Sequence, residues 1–81
     1  MTTEEVKINL RRIVSDQLGE PETEIQDEMT LHDLGADSLD VIEIIMRIEE
    51  TLDVQITDAD ISKCKTFDDL FECTLKAIGE K

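Results

Sequence analysis

Eighty-one residues with 40% hydrophobic content suffice for one domain with one small core and exclude a wholly disordered chain. The formal net charge of −13, from 21 Asp and Glu against 8 Lys and Arg, argues against nucleic-acid binding and anionic membrane surfaces, both of which need clustered cations. Phe67 and Phe71 are the only aromatics, so the core must come from Ile, Leu, Val and Met, a composition that suits interdigitating helices.

Four stretches read as helical. In the first, Thr2 or Thr3 is the N-cap, and Thr2 with Glu5 fits a capping box. Val6, Leu10, Ile13, Val14 and Leu18 then give one apolar face, and Gly19 and Pro21 stop it. Residues 20–36 form a long connection in which Ile25, Met29, Leu31 and Leu34 recur. Unstructured loops of this length are uncommon in compact domains, so these four side chains are expected to pin it to the core, with a short helical turn near Glu22–Ile25 or Leu31–Leu34.

The second helix is expected from Ser38 to Leu52, capped by Asp37 with Asp40 three residues on. A short third helix starts at Thr57, with Asp60 at the matching offset, and ends at Ile61 or Ser62. The fourth follows Thr66, with Asp69 completing another box, carries Phe67, Leu70, Phe71 and Ile78, and leaves Gly79 beyond its end. No strand alternation, internal repeat or low-complexity tail is visible. The expected fold is all-α: a small four-helix bundle of three longer helices and one short one, with a long loop between helices one and two, forming a single domain over residues 1–81.

At 100° per residue the second helix carries two apolar stripes. Val41, Ile44, Ile45, Ile48 and Leu52 form an ordinary core face. Leu39, Ile42 and Met46 cluster roughly 130° away on the same construction, flanked by Asp40, Glu43, Glu49 and Glu50. This is a broad buried face, or a set of scattered exposed apolar residues, or a docking surface with an acidic rim. The acidity itself either favours partners with basic patches or simply keeps a small protein in solution.

Chemistry is sparse. Ser38 as a nucleophile needs a base and a supporting group, but His32, the single histidine, lies six residues earlier in the connection and no nucleophile-elbow glycines are present. No catalytic residue is assigned. Asp58 and Asp60 lack the ligand series, central Gly and terminal Glu of a calcium loop, so they read as a helix start, and no metal site is assigned. Cys64 and Cys73 make neither a disulfide framework nor a metal cluster and read as small core residues in a reducing compartment. The opening Met1-Thr2-Thr3-Glu4-Glu5 is polar, without signal-peptide character, and no apolar run approaches a membrane span. A soluble cytoplasmic monomer is expected. Two roles remain open for Ser38: a simple helix cap, or an acceptor for a phosphate ester beside the positive end of a helix.

The run Asp33-Leu34-Gly35-Ala36-Asp37-Ser38-Leu39-Asp40 resembles the prosthetic-group attachment motif of acyl carrier proteins. The resemblance extends through Glu43, Met46, Ile48-Glu49-Glu50 and Asp53 of the next helix, to Ile56 and Asp58, and back to Gln17-Leu18-Gly19. It implies a carrier and not an enzyme, with 4′-phosphopantetheine moved from coenzyme A onto Ser38 by a phosphopantetheinyl transferase and acyl groups held on the arm's thiol. It further implies a partner face of Asp37, Leu39, Asp40, Ile42, Glu43, Met46, Glu49 and Glu50 for acyl-chain enzymes with basic docking patches. The acyl cavity would then draw on Ile48, Leu52, Ile56 and Cys64, which ordinary core packing explains equally well.

Three departures stand out: Thr57 in place of a proline, Arg47 beside the acidic stripe, and Cys64, Phe67, Phe71 and Cys73 where aliphatic or tyrosine side chains are usual. Arg47 either pairs with Glu43 or Glu50 or alters partner choice. The leading expectation is an acyl carrier of fatty-acid or related synthesis. Its alternatives are a specialised carrier for polyketide, aminoacyl or other acyl groups, and an acidic interaction module that carries nothing.

Overall fold

The computed structural model describes residues 2–79; the ends of the expected domain, residues 1, 80 and 81, lie outside the described residues. Its helices are α1 (Thr3–Leu18), α2 (Ser38–Leu52), α3 (Asp58–Ile61) and α4 (Phe67–Gly79), with a 3₁₀ turn over Glu22–Glu24. The fold is the expected small all-α bundle.

Each helix start is fixed locally by a short polar side chain. At α1, Thr2 Oγ1 accepts the Glu5 amide at 3.2 Å and the Glu5 carboxylate accepts the Thr2 amide at 3.1 Å. The Thr2 amide, assisted by the Thr2 hydroxyl, holds the Glu5 carboxyl below the usual carboxylate range. At α4, Thr66 Oγ1 accepts the Asp69 amide at 3.0 Å while the Asp69 carboxylate accepts the Thr66 and Lys65 amides, which lowers its pKa in the same way. The end of α1 is Gly19 at φ 69°, a left-handed cap that glycine adopts without steric cost. The other end differs from expectation. Gly79 is the last residue of α4 and not a residue beyond it: its φ is not positive, so it continues the helix in place of capping it.

The core joins three helices and the long connection. Val6, Leu10 and Val14 of α1 meet Ile44, Ile45 and Ile48 of α2 and Phe67, Leu70 and Ala77 of α4. Thr74 is buried among them, its hydroxyl satisfied by the Leu70 carbonyl at 2.8 Å. From the connection, Ile25, Leu31 and Leu34 are buried and Met29 packs against them. The expected pinning residues therefore do pin it, with a 3₁₀ turn at the first expected place and consecutive hydrogen-bonded turns at the second.

Backbone bonds tie the connection to the start of α4. Thr30 and Thr66 form an isolated antiparallel bridge, Leu31 N–H donates to Lys65 O at 2.9 Å, and the Phe67 and Asp68 amides donate to Met29 and Asp27 at 2.9 Å each. On the other side, Lys7 and Arg11 of α1 both reach Asp27, at 2.6 and 3.1 Å, and Arg11 Nε donates to Ile25 O at 3.2 Å. The same two cations lie over the aromatic rings of α4, Lys7 at 5.1 Å from the Phe71 centroid and Arg11 at 5.0 Å from that of Phe67.

The short α3 cannot bury much by itself. Thr57 Oγ1 caps it through the Asp60 amide at 3.2 Å, and the Asp60 carboxylate, largely buried, accepts from Lys76 Nζ of α4 at 3.2 Å. The Lys76 hydrogen bond, assisted by the Thr57 hydroxyl, holds the Asp60 carboxyl below its ordinary value against the opposing effect of burial. A group whose folded-state pKa is depressed stabilises the fold above its unfolded pKa, near 4, and loses that contribution as pH falls through the folded value. Asp60→Asn is therefore expected to be less stable than the parent at about pH 7, with the gap closing below about pH 4. Paired urea melts at both pH values check this, and a gap that persists in acid would remove the ion pair from the account.

Candidate functional site

The site is built at the start of α2. Gly35 takes φ 92°, a left-handed conformation that turns the chain out of the connection and that a side chain would strain. Two residues later Asp37 is the N-cap: its Oδ1 accepts the Asp40 amide at 2.8 Å, and Asp40 Oδ2 accepts the Asp37 amide at 3.2 Å. Ser38 is thereby the first helical residue and not the cap. Its side chain is exposed, and among the described residues none hydrogen-bonds its hydroxyl. The cap reading of Ser38 is answered by its neighbour.

Ser38 opens into a shallow depression between the start of α2 and the loop after α3, walled by Leu31, His32, Ala36, Val41, Cys64 and Lys65. His32 is thus near the site, but no serine–histidine hydrogen bond exists among the described residues, and no group of three or more His, Cys, Asp or Glu side chains there converges on a metal position. What the arrangement offers is an accessible oxygen at a helix N-terminus beside a groove. That fits a phosphate ester made by another protein, because the positive helix end favours an anion and no internal base is needed.

The two stripes of α2 separate cleanly. Ile44, Ile45 and Ile48 are buried, and Val41 and Leu52 pack against the core. Leu39, Ile42 and Met46 stand 62%, 51% and 58% exposed, so the second stripe is surface and not a widened core face. Asp37, Glu43 and Glu50 are exposed around it and Asp40 is half-buried. Two features of this face escape a reading of α2 alone. Gln17, at the end of α1, donates its amide to Glu43 and to Asp40 at 3.3 Å, and accepts from Arg47 at 3.5 Å. Arg47 is therefore drawn to an amide on the neighbouring helix. Glu49 is half-buried and accepts the Ile56 amide at 3.0 Å, which anchors the segment before α3.

The four residues named for an acyl cavity are not gathered at one opening. Ile48 is fully buried and Leu52 half-buried in the core. Ile56 lines a groove between α2 and α3 with Ile42, Ile45, Met46 and Ile61, and Cys64 lines the separate depression beside Ser38.

A bundle of this plan with an exposed, uncommitted serine at the start of its second helix fits a carrier domain. The comparisons say which kind. The model of the family described as "Phosphopantetheine attachment site" matches residues 9–73. The acyl carrier protein of Thermotoga maritima is 36% identical over 77 residues, covering 94% of this chain and 95% of that one. The acyl carrier protein of Clostridium perfringens is 47% identical over 64 residues, covering 78% and 84%. A solved acyl carrier protein structure from Thermotoga maritima superposes with a TM-score of 0.83 at 32% identity, over 99% of this chain and 94% of the other. The chain belongs to the acyl carrier protein family. It is a carrier and not an enzyme, and the family's prosthetic group is covalently attached 4′-phosphopantetheine. Membership sets aside the reading of an interaction module that carries nothing.

The capping geometry makes a quantitative prediction. Asp37→Ala should cost about 1 kcal/mol by orphaning the Asp40 amide, whereas Asp37→Asn, which keeps an acceptor, should recover most of that loss. Urea unfolding of the three chains measures both.

Proposed function

We propose that Ser38 carries the arm, and that the protein holds acyl groups for fatty-acid or related synthesis. The observation that carries this reading is the division of labour at α2: Asp37 accepts the Asp40 amide as the cap, so the Ser38 hydroxyl is left exposed for transfer. The Ser38 Oγ attacks the phosphate of coenzyme A within a phosphopantetheinyl transferase, forming a phosphodiester as the nucleotide portion leaves. The arm supplies a terminal thiol on which acyl groups ride as thioesters.

The partner face is read as Asp37, Leu39, Asp40, Ile42, Glu43, Met46 and Glu50, with Glu49 at its inner edge. Exposure of the apolar stripe and its carboxylate rim support this, since a partner with basic residues around an apolar centre is complementary to it. Met46 at the centre suits a surface that accepts several partners. The groove at Ile56 is the nearer candidate for an acyl chain than the sealed Ile48. The 81 residues act as one monomeric domain in the cytoplasm, a reading consistent with two free cysteines and with no described helix long and apolar enough to cross a membrane.

Incubation of the arm-free protein with coenzyme A and a broad-range phosphopantetheinyl transferase is expected to add the mass of one phosphopantetheine to the Ser38 peptide, and none to a Ser38→Ala chain. Addition elsewhere, or none at all, would sink the assignment. Separately, Glu43→Lys is expected to weaken binding to the transferase about tenfold at low salt, with a smaller effect at high salt. Calorimetric titration at two ionic strengths reads this, and equal affinity at low salt removes Glu43 from the interface.

A further inference from the structure

The carrier reading gives Cys73 no role and uses Cys64 only as a lining residue, yet the fold brings the two together across a nine-residue separation. Cys64 is buried in the loop after α3, and Cys73 is half-buried in α4. Both thiols are free and their Sγ atoms are 2.9 Å apart. They converge on one acceptor, the Asp60 carbonyl, which takes Cys64 Sγ at 3.2 Å and Cys73 Sγ at 3.5 Å. A disulfide bond is ~2.05 Å long, so a small movement within one loop suffices to bond them.

We propose that Cys64 and Cys73 are a thiol–disulfide couple that closes on contact with a low-molecular-weight disulfide and fastens the loop after α3 to α4. Cys73, the more accessible thiol, is the point of entry. Its thiolate attacks one sulfur of RSSR, forming a mixed disulfide and releasing RS⁻. Cys64 Sγ, losing its proton to the released thiolate, then attacks the Cys73 sulfur and expels the second RS⁻. One external S–S bond is broken and one internal bond made; two protein thiols are oxidised and RSSR is reduced to two thiols. Burial and the adjacent Cys73 thiol push the Cys64 thiol up, which disfavours it as the point of entry, while its 2.9 Å approach to Cys73 Sγ places it for the second step.

The bond acts on the walls of the site. Cys64 and Lys65 border the depression at Ser38, while Ile61 and Ser62, just before them, border the groove with Ile56. Closing the ring fixes this segment against α4, where Asp60–Lys76 already joins it. Any effect on cargo rests on the carrier reading, whereas closure of the bond does not.

The test treats the arm-free full chain, and a Ser38→Ala chain that cannot carry the arm's thiol, with oxidised glutathione, then alkylates the remaining thiols and takes intact and peptide masses. Both chains are expected to lose two hydrogen atoms, resist alkylation, regain two alkylatable thiols with dithiothreitol, and melt on the order of 10 °C higher when oxidised. Cys64→Ser should stop at a glutathione adduct on Cys73. Two alkylatable thiols after oxidation, stable adducts on the parent chain, or disulfide-linked dimers would each overturn the proposal, and the parent masses decide it even where the variant does not fold. Because the Ser38→Ala chain is included, failure of the attachment reading leaves this result intact.

Discussion

The reciprocal hydrogen bonds between Asp37 and Asp40 set the terms at the start of α2. A helix leaves its first amides unpaired, and something must accept them. Because Asp37 does so from just outside the helix, Ser38 falls at the first helical position with its hydroxyl unspent. Burial of the opposite face in the core sets the rotational phase of the helix. Ile44, Ile45 and Ile48 then point into the core, and Leu39, Ile42 and Met46 have no choice but to face out. The bare serine follows from the cap, and the exposed apolar stripe from the packing of the other face of the helix.

The distribution of charge follows a similar economy. With 21 acidic residues against 8 Lys and Arg, the molecule has few cations to place. Lys7 and Arg11 are committed to Asp27 and to the rings of Phe71 and Phe67, where they hold the long connection between α1 and α4. Lys76 is committed to Asp60 and steadies α3. Arg47, the cation on α2, is met by the amide of Gln17. Four of the eight Lys and Arg are thus engaged where elements meet, and the rim of α2 is dominated by carboxylates. A net charge that favours self-repulsion is compatible with folding because the cations stand where elements meet.

Much of this was legible in the chain itself, and for identifiable reasons. Helix starts were readable because capping is a relation between residues three apart: Thr2 with Glu5, Asp37 with Asp40, Thr57 with Asp60 and Thr66 with Asp69 all appear as short patterns. The two stripes of α2 were readable because helical periodicity converts spacing directly into direction. What stayed hidden depends on contacts between distant residues. No local pattern announces that Gln17 will bridge Asp40 and Glu43, that Glu49 will take the Ile56 amide, or that Cys64 and Cys73 will meet over one carbonyl. Gly79 differs from expectation because a glycine near a helix end caps it only in a left-handed conformation, and Gly79 does not adopt one.

The Thr30–Thr66 bridge separates the site into parts with different histories on the folding landscape. Presentation of the Ser38 hydroxyl is a low-contact-order property, assembled from bonds that close over three residues as soon as the first turn of α2 forms. The depression beside it is a high-contact-order property, because its far wall is delivered by a strand-like contact spanning thirty-six positions, from Thr30 to Thr66. The two therefore respond to different disturbances. Partial opening that detaches the 62–66 loop from the connection removes the wall and leaves the serine where it was, while fraying of the first turn of α2 does the reverse. Accessibility of the attachment point and the shape of the cleft next to it are governed by separate equilibria within one small domain.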